Sequence, residues 1–215
     1  WGDAQAARAW RGGPDWPLRQ RGLSGQKALI FGFGSIGNEV ARLCEAFGSR
    51  TVGVRRTTSA TEGETIHADR LVTPAAMETE LADTDWLILA APLTPSTRNA
   101  IGASVLSRLP ATACVLNVGR GAVVDETALI AALEAGELTG AYLDVFATEP
   151  LPGTSPFWRL PNVIVSPHQS FVSDTNAARG KELWCSNLVR WCKGQALLNE
   201  LRAEDVGVAA KTAKL

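Results

Sequence analysis

At 215 residues, 46% hydrophobic and 20% charged, the chain can bury the core of one domain, or of one domain with an appendage. A formal net charge of −1 argues against a nucleic-acid footprint, and no uninterrupted apolar stretch approaches the ~18 residues of a membrane span. The four cysteines, Cys44, Cys114, Cys185 and Cys192, fit no metal spacing and read as buried reduced thiols suited to a reducing compartment.

The chain starts at Trp1 with neither an initiator methionine nor a signal-peptide pattern, and it reads as part of a longer protein. Residues 1–22 are rich in Trp, Arg, Gly and Pro and suggest a short helix followed by a loop. From Lys27 onward, short apolar runs alternate with helical patterns. The runs are 28–31, 51–54, 86–90, 114–118, 141–145 and 163–165. Their continuous apolarity predicts strands covered on both faces, as in a parallel sheet. Between them, Ile36, Val40, Leu43 and Phe47 share a predicted helix face that Gly48 ends. Asp125 is placed to cap a helix carrying Leu129, Ile130 and Leu133, which Gly136 closes. A last helix is expected after Ser173, with Ala177, Trp184, Leu188 and Trp191 on one side and Gly194 at its end. The alternation predicts an α/β fold, a Rossmann-type doubly wound parallel sheet.

The first chemistry-bearing motif is Gly32-Phe33-Gly34-Ser35-Ile36-Gly37, with G-x-G-x-x-G spacing. Alone the pattern is weak; a strand before it and an amphipathic helix after it point to a dinucleotide. Gly32 would permit the turn, Gly34 the approach of a pyrophosphate, and Gly37 close packing of helix on strand. The amides of Ser35 and Ile36 open the helix that would face the anion. An NAD site usually has an acid about 20 residues further on. Here Gly53-Val54-Arg55-Arg56 has two guanidiniums, which favours NADP(H) and leaves NAD(H) possible. The plainer alternative is a pair of solvent-facing arginines.

Three more segments each follow an apolar run: 117–125 with Arg120, 144–150 with Asp144 and Glu149, and 162–168 ending in Pro167-His168, one of two histidines. Adding a hydride to a carbonyl carbon, as a dinucleotide site could, also needs a proton on the oxygen. A histidine can donate that proton, a carboxylate can orient it, and an arginine can hold a substrate carboxylate. His67, in a polar stretch, reads as a surface residue, and Trp158 as packing its loop against the domain.

With the glycine turn, these segments closely resemble the D-isomer-specific 2-hydroxyacid dehydrogenases, from about Leu23 to about Leu201; Pro92-Leu93-Thr94-Pro95-Ser96-Thr97 resembles that family's cofactor-side loop. The resemblance implies His168 as acid/base, Glu149 as its partner and Arg120 as substrate anchor. It places Pro92, Thr97, Val118, Gly119, Asp144 and Ser170 with the cofactor, Asp144 near the nicotinamide carboxamide. It also implies a homodimer and a small 2-oxo/2-hydroxy acid substrate, as in a glyoxylate or hydroxypyruvate reductase. Gln169-Ser170-Phe171 departs from the smaller residues often found after that histidine.

The expected organisation is therefore 1–22 as connecting helix and loop, 23–194 as dinucleotide-binding domain, and 195–215 as a return segment and tail. The N-terminal part of a substrate domain is expected to be missing. Two other readings stay open: a dinucleotide-sensing scaffold like the C-terminal binding protein corepressors, and a cofactor-binding fragment without turnover. The expected compartment is cytoplasmic. The alternative is peroxisomal, because Ala213-Lys214-Leu215 is a conservative variant of Ser-Lys-Leu.

Overall fold

The computed structural model describes residues 7–10, 21–60 and 64–200. Most of the expected connecting helix, and the Ala213-Lys214-Leu215 tail, lie outside the described residues.

The described strands are β1 (Lys27–Phe31), β2 (Arg50–Val54), β3 (Arg70–Val72), β4 (Trp86–Leu89), β5 (Cys114–Asn117), β6 (Gly140–Leu143) and β7 (Val163–Val165). They form one parallel sheet in the order β3-β2-β1-β4-β5-β6-β7. The helices are α1 (Ser35–Ala46), α2 (Ala103–Leu106), α3 (Glu126–Glu134) and α4 (Asn176–Cys192), with 3-10 segments at Pro74–Asp83, Gly121–Val123 and Pro156–Trp158. Strand order reverses between β1 and β4, which opens a crevice at their carboxyl ends. This is the doubly wound α/β fold that the alternating pattern predicts.

The central strands form from apolar runs because both faces are covered, whereas the expected double cover fails at the β7 edge, where Ile164 is 65% exposed. Leu29 and Phe31 join one buried cluster with Leu87, Leu89, Met77 and Leu81, while Ala28 and Ile30 join a second with Phe33, Ala41 and Ile88. Successive side chains of one strand thus feed opposite layers.

Four other expectations need amending. Strand β3 and the 3-10 segment Pro74–Asp83 were not foreseen. In α1 the contact face is turned: Gly37 and Ala41 are buried, whereas Ile36, Leu43 and Phe47 are 59%, 46% and 61% exposed. A Cβ at Gly37 would meet the Gly32 carbonyl oxygen at 2.8 Å, so close helix-strand approach selects the smallest residues. Helix α4 lies where expected and Gly194 (φ +65°) closes it, but none of its residues is buried. Consequently Cys185 and Cys192 are exposed, not buried; Cys44 and Cys114 are half-buried, and burial raises both thiol pKa values.

Helix α3 follows the sequence closely. The Asp125 carboxylate accepts from the Thr127 and Ala128 amides at 3.0 and 3.2 Å, and Gly136 (φ +70°) ends the turn. At the amino edge of the sheet, buried Lys27 donates to the Glu80 carbonyl at 2.8 Å and lies 3.0 Å from the Glu80 carboxylate. Asp83 also pairs with Lys27, and Arg70 with Glu80.

Candidate active site at the carboxyl edge of the sheet

The expected site residues fall on the segments that leave the carboxyl ends of the strands. Gly32 follows β1, Arg55 follows β2, Pro92 lies beyond β4, Val118 follows β5, Asp144 follows β6 and His168 lies beyond β7. Ladder bonds run on past the strands and tie these ends together. The Gly32 and Phe33 amides donate to the Val54 carbonyl, Val118 to Leu89, Asp144 to Asn117, and Ser166 to Leu143, all at 2.9–3.1 Å.

The glycine turn fits a dinucleotide, each glycine for its own reason. Gly32 has φ +94°, and a Cβ there would lie 2.3 Å from the Ala91 amide nitrogen. Gly37 is required by the helix-strand contact. Nothing in the protein crowds Gly34: a Cβ there would meet no atom within 4 Å. It would instead project into the open space in front of the turn. Helix α1 starts with no side-chain cap and no acid in its first turn, so the exposed residues Ser35 and Ile36 offer amides to an anion.

Arg55 is half-buried and already engaged. Its guanidinium donates to the Thr57 and Ser59 carbonyls at 2.6 and 2.8 Å and pairs with Glu64 at 2.6 Å. Arg56 is exposed to solvent and engaged as well. In the 92–97 loop, the Thr97 hydroxyl donates to the Pro92 carbonyl at 2.7 Å, and the Thr94 amide donates back to Thr97 at 2.8 Å.

Arg120 sits on a tightly built loop. Buried Asn117 accepts from the Gly119 amide and donates to the Arg120 carbonyl, both at 3.1 Å, which closes the loop from inside. A Cβ at Gly119 would lie 2.7 Å from the Ala91 carbonyl oxygen, and one at Gly121 would fall 1.8 Å from the Phe146 carbonyl carbon. Both flanking glycines are therefore imposed by packing. The exposed Arg120 side chain gives one N–H to the Gly119 carbonyl at 2.7 Å.

His168 and Glu149 meet directly: His168 Nδ1 is 2.7 Å from Glu149 Oε2, with the side chains 40% and 34% exposed. The other carboxylate oxygen accepts from the Phe146 amide at 2.9 Å. Burial pushes the Glu149 pKa up, but bonds from His168 and Phe146 and the charges of His168 and Arg120 outweigh it, so the value is lowered. Glu149 is then ionised near neutrality and can only accept. His168 Nδ1 must therefore carry the hydrogen, which leaves Nε2 as the nitrogen able to exchange a proton. The fold thus puts Glu149 and His168 in contact, with Arg120 near enough for its charge to act on Glu149.

Asp144, the residue expected near the carboxamide, is bonded to the segment that follows β7. It is 2% exposed, and Oδ1 accepts from the Ser166 hydroxyl at 2.6 Å and the Gln169 amide at 2.9 Å. Oδ2 accepts from the Ser170 amide at 3.0 Å, and the Asp144 carbonyl accepts from the His168 amide at 2.8 Å. Burial again opposes ionisation and is outweighed by these donors, so the Asp144 pKa is lowered. His168 has φ +54°, an uncommon backbone conformation that this clamp holds in place. The Ser170 hydroxyl lies 3.0 Å from that of Tyr142.

A cavity of about 600 Å³ opens beside the pair, lined by Phe146, Leu151, Trp158, Val165, Glu149 and His168 among others. Trp158 does hold its loop, through a 2.9 Å bond from Nε1 to the Pro152 carbonyl, yet it is 52% exposed; Phe157 is the ring that packs inside. His67 is half-buried, with Nδ1 3.5 Å from a Glu45 carboxylate oxygen. Sequence reasoning missed Asn117, Ser166 and Glu64, and it missed the Phe171 ring standing edge-on to His168 with centroids 6.4 Å apart. The Asn117 side chain was readable in principle, as a buried amide ending an apolar run. Among the described residues no His, Cys, Asp or Glu group is arranged to hold a metal, and no helix is long and apolar enough to cross a membrane.

Comparison with known proteins agrees with this fold. The chain is 34% identical over 202 residues to a glyoxylate reductase of Aeropyrum pernix, an alignment covering 93% of this chain and 59% of that protein. The NADPH complex of a D-isomer specific 2-hydroxyacid dehydrogenase from Xanthobacter autotrophicus Py2 superposes with TM-score 0.78 at 32% identity, covering 94% of this chain and 79% of that one. An NADPH-dependent glyoxylate/hydroxypyruvate reductase of Sinorhizobium meliloti, solved with NADP and sulfate, gives TM-score 0.79 at 28% identity over 95% of this chain and 63% of that one. The chain spans 51–59% of the length of the glyoxylate reductases from Korarchaeum cryptofilum, Aeropyrum pernix and Thermococcus litoralis. Residues 2–170 match the family model described as D-isomer specific 2-hydroxyacid dehydrogenase, NAD binding domain, and the chain belongs to that family.

Proposed function

We propose that this chain is the NADP(H)-binding part of an oxidoreductase acting on a small 2-oxo/2-hydroxy acid, of the glyoxylate or hydroxypyruvate type. The observation that carries the reading is the 2.7 Å contact of His168 Nδ1 with Glu149, beside Arg120 and on the same sheet edge as the glycine turn. When bound, the nicotinamide cofactor supplies the hydride. Arg120 anchors the substrate carboxylate with N–H donors beyond the one given to Gly119. His168 Nε2 exchanges a proton with the substrate oxygen, and Glu149 holds the ring in place. Gly32, Gly34 and Gly37, with the amides of Ser35 and Ile36, receive the pyrophosphate. Pro92, Thr97, Val118, Gly119 and Ser170 lie on the loops that border it. Asp144 supports the His168 turn from below.

NADP(H) is favoured because no acid ends β2 and two arginines follow it. Two of the similar structures hold NADPH or NADP, which supports the same reading. A homodimer is the proposed assembly, to be checked by light scattering. The test of function is oxidation of NADPH by the complete protein with glyoxylate or hydroxypyruvate as acceptor. Binding of NADPH without turnover of several 2-oxo acids would favour the sensing scaffold instead. NADPH is expected to bind more tightly than NADH in a tryptophan-fluorescence titration, and equal affinities would remove the cofactor assignment.

A further inference from the structure

We infer that Glu64 determines cofactor specificity: its carboxylate neutralises Arg55 next to the ribose 2′ position and narrows the preference for a 2′-phosphate over a 2′-hydroxyl. The inference rests on the reading that the glycine turn binds a dinucleotide. The Gly32 and Phe33 amides donate to the Val54 carbonyl at 3.1 and 3.0 Å, so the end of β2 is bound to that turn. The residue at this strand end is the one that meets the 2′ substituent in such folds, and here it is Arg55.

Arg55 does not wait there as an open cation. Three of its five N–H donors go to the Thr57 carbonyl, the Ser59 carbonyl and Glu64 Oε1, at 2.6, 2.8 and 2.6 Å. The two charged side chains are only 16% and 27% exposed, so solvent and salt screen their pairing less than that of a surface pair. An arriving 2′-phosphate therefore meets a compensated pair, with a carboxylate that repels it. A ribose hydroxyl meets the same carboxylate as a hydrogen-bond acceptor. The acid absent from the end of β2 in sequence is delivered there in space, from nine residues downstream. Arg55 also holds its own loop in place through the Thr57 and Ser59 carbonyls.

The test is binding of 2′,5′-ADP and of 5′-AMP to this chain by calorimetry at low ionic strength, for the wild type, Glu64→Gln and Glu64→Asp. The glutamine variant keeps the shape and an acceptor for Arg55 at a partly exposed position, so the fold should hold. It is expected to raise the ratio of 2′,5′-ADP to 5′-AMP affinity about tenfold, a gain that shrinks as salt is added. Glu64→Asp, which retains the charge, should stay near the wild-type ratio. An unchanged ratio in Glu64→Gln with 5′-AMP still bound overturns the inference and leaves the dinucleotide reading standing. A lowered ratio also overturns it, because Glu64 would then be preparing Arg55 for the phosphate. Binding of neither nucleotide by the wild type removes the dinucleotide reading and this inference with it.

Discussion

The Glu149 carboxylate is shared between two partners: Oε2 contacts His168 Nδ1 at 2.7 Å while Oε1 accepts from the Phe146 amide at 2.9 Å. This splits one side chain between orienting the imidazole and fixing the loop that carries it. Glu149→Gln keeps the amide bond to Phe146 through its oxygen but presents an NH₂ to the histidine, which favours the wrong tautomer. We expect kcat to fall about 100-fold with the cofactor Kd unchanged. Glu149→Asp should recover part of the loss. A glutamine variant with wild-type kcat would remove the orienting role.

Asp144→Asn tests the clamp under His168. Gln169 donates to Oδ1 and Ser170 to Oδ2, and an amide has only one accepting oxygen, so at least one donor loses its partner. The expected cost is about 2 kcal/mol of stability by urea denaturation. kcat should fall while NADPH affinity holds. Loss of NADPH affinity with kcat intact would instead place Asp144 on the nicotinamide.

The glycines separate packing from binding. Gly32→Ala forces a Cβ to within 2.3 Å of the Ala91 backbone in a positive-φ conformation, and the protein should lose stability or fail to fold. Gly34→Ala meets no protein atom, so the thermal midpoint should hold while dinucleotide affinity drops about tenfold. Equal effects of both substitutions on stability would contradict this division.

The folded protein lowers the pKa of Asp144, Glu149 and Glu80, so these carboxylates contribute stability above their unfolded values near pH 4. Below that range the unfolded state binds more protons and the contribution is lost as pH falls through the folded values. For Glu80, burial is the largest influence and raises the pKa, but Lys27 and Arg70 outweigh it. Glu80→Gln leaves buried Lys27 with the residue-80 carbonyl and with Asp83 as its remaining carboxylate partner, and should cost on the order of 3 kcal/mol at neutral pH. It should also flatten the acid side of the stability-pH curve, which denaturation at pH 7, 5 and 3.5 would show. No loss of stability at pH 7 would contradict a structural role for the pair.

The parts legible in the sequence are those with local signatures. Continuous apolar runs marked six of the seven described strands to within one or two residues, Asp125 marked the start of α3, and glycines marked helix ends. The motif order placed Arg120, Glu149 and His168 at one edge because a parallel sheet sends every strand's carboxyl end the same way. What stayed hidden depends on contacts between distant segments. Strand β3 opens on exposed Arg70 and offers only Leu71 and Val72 as an apolar run, too short to stand out from its polar surroundings. The buried face of α1 was misread because Gly37 and Ala41 count as weakly apolar, yet closeness to β1 makes them the contact. The spending of the Asp144 oxygens on residues 166–170, and the capture of Arg55 by Glu64, exist only once the loops have folded.

The central claim is that His168, oriented by Glu149, exchanges the proton while Arg120 holds the acid. The most direct measurement compares His168→Gln with wild type in the complete protein, following NADPH oxidation by glyoxylate and NADPH binding in the same preparations. The account predicts a loss of at least about 1,000-fold in kcat with NADPH affinity within about twofold of wild type. Turnover by the glutamine variant within tenfold of wild type would contradict it.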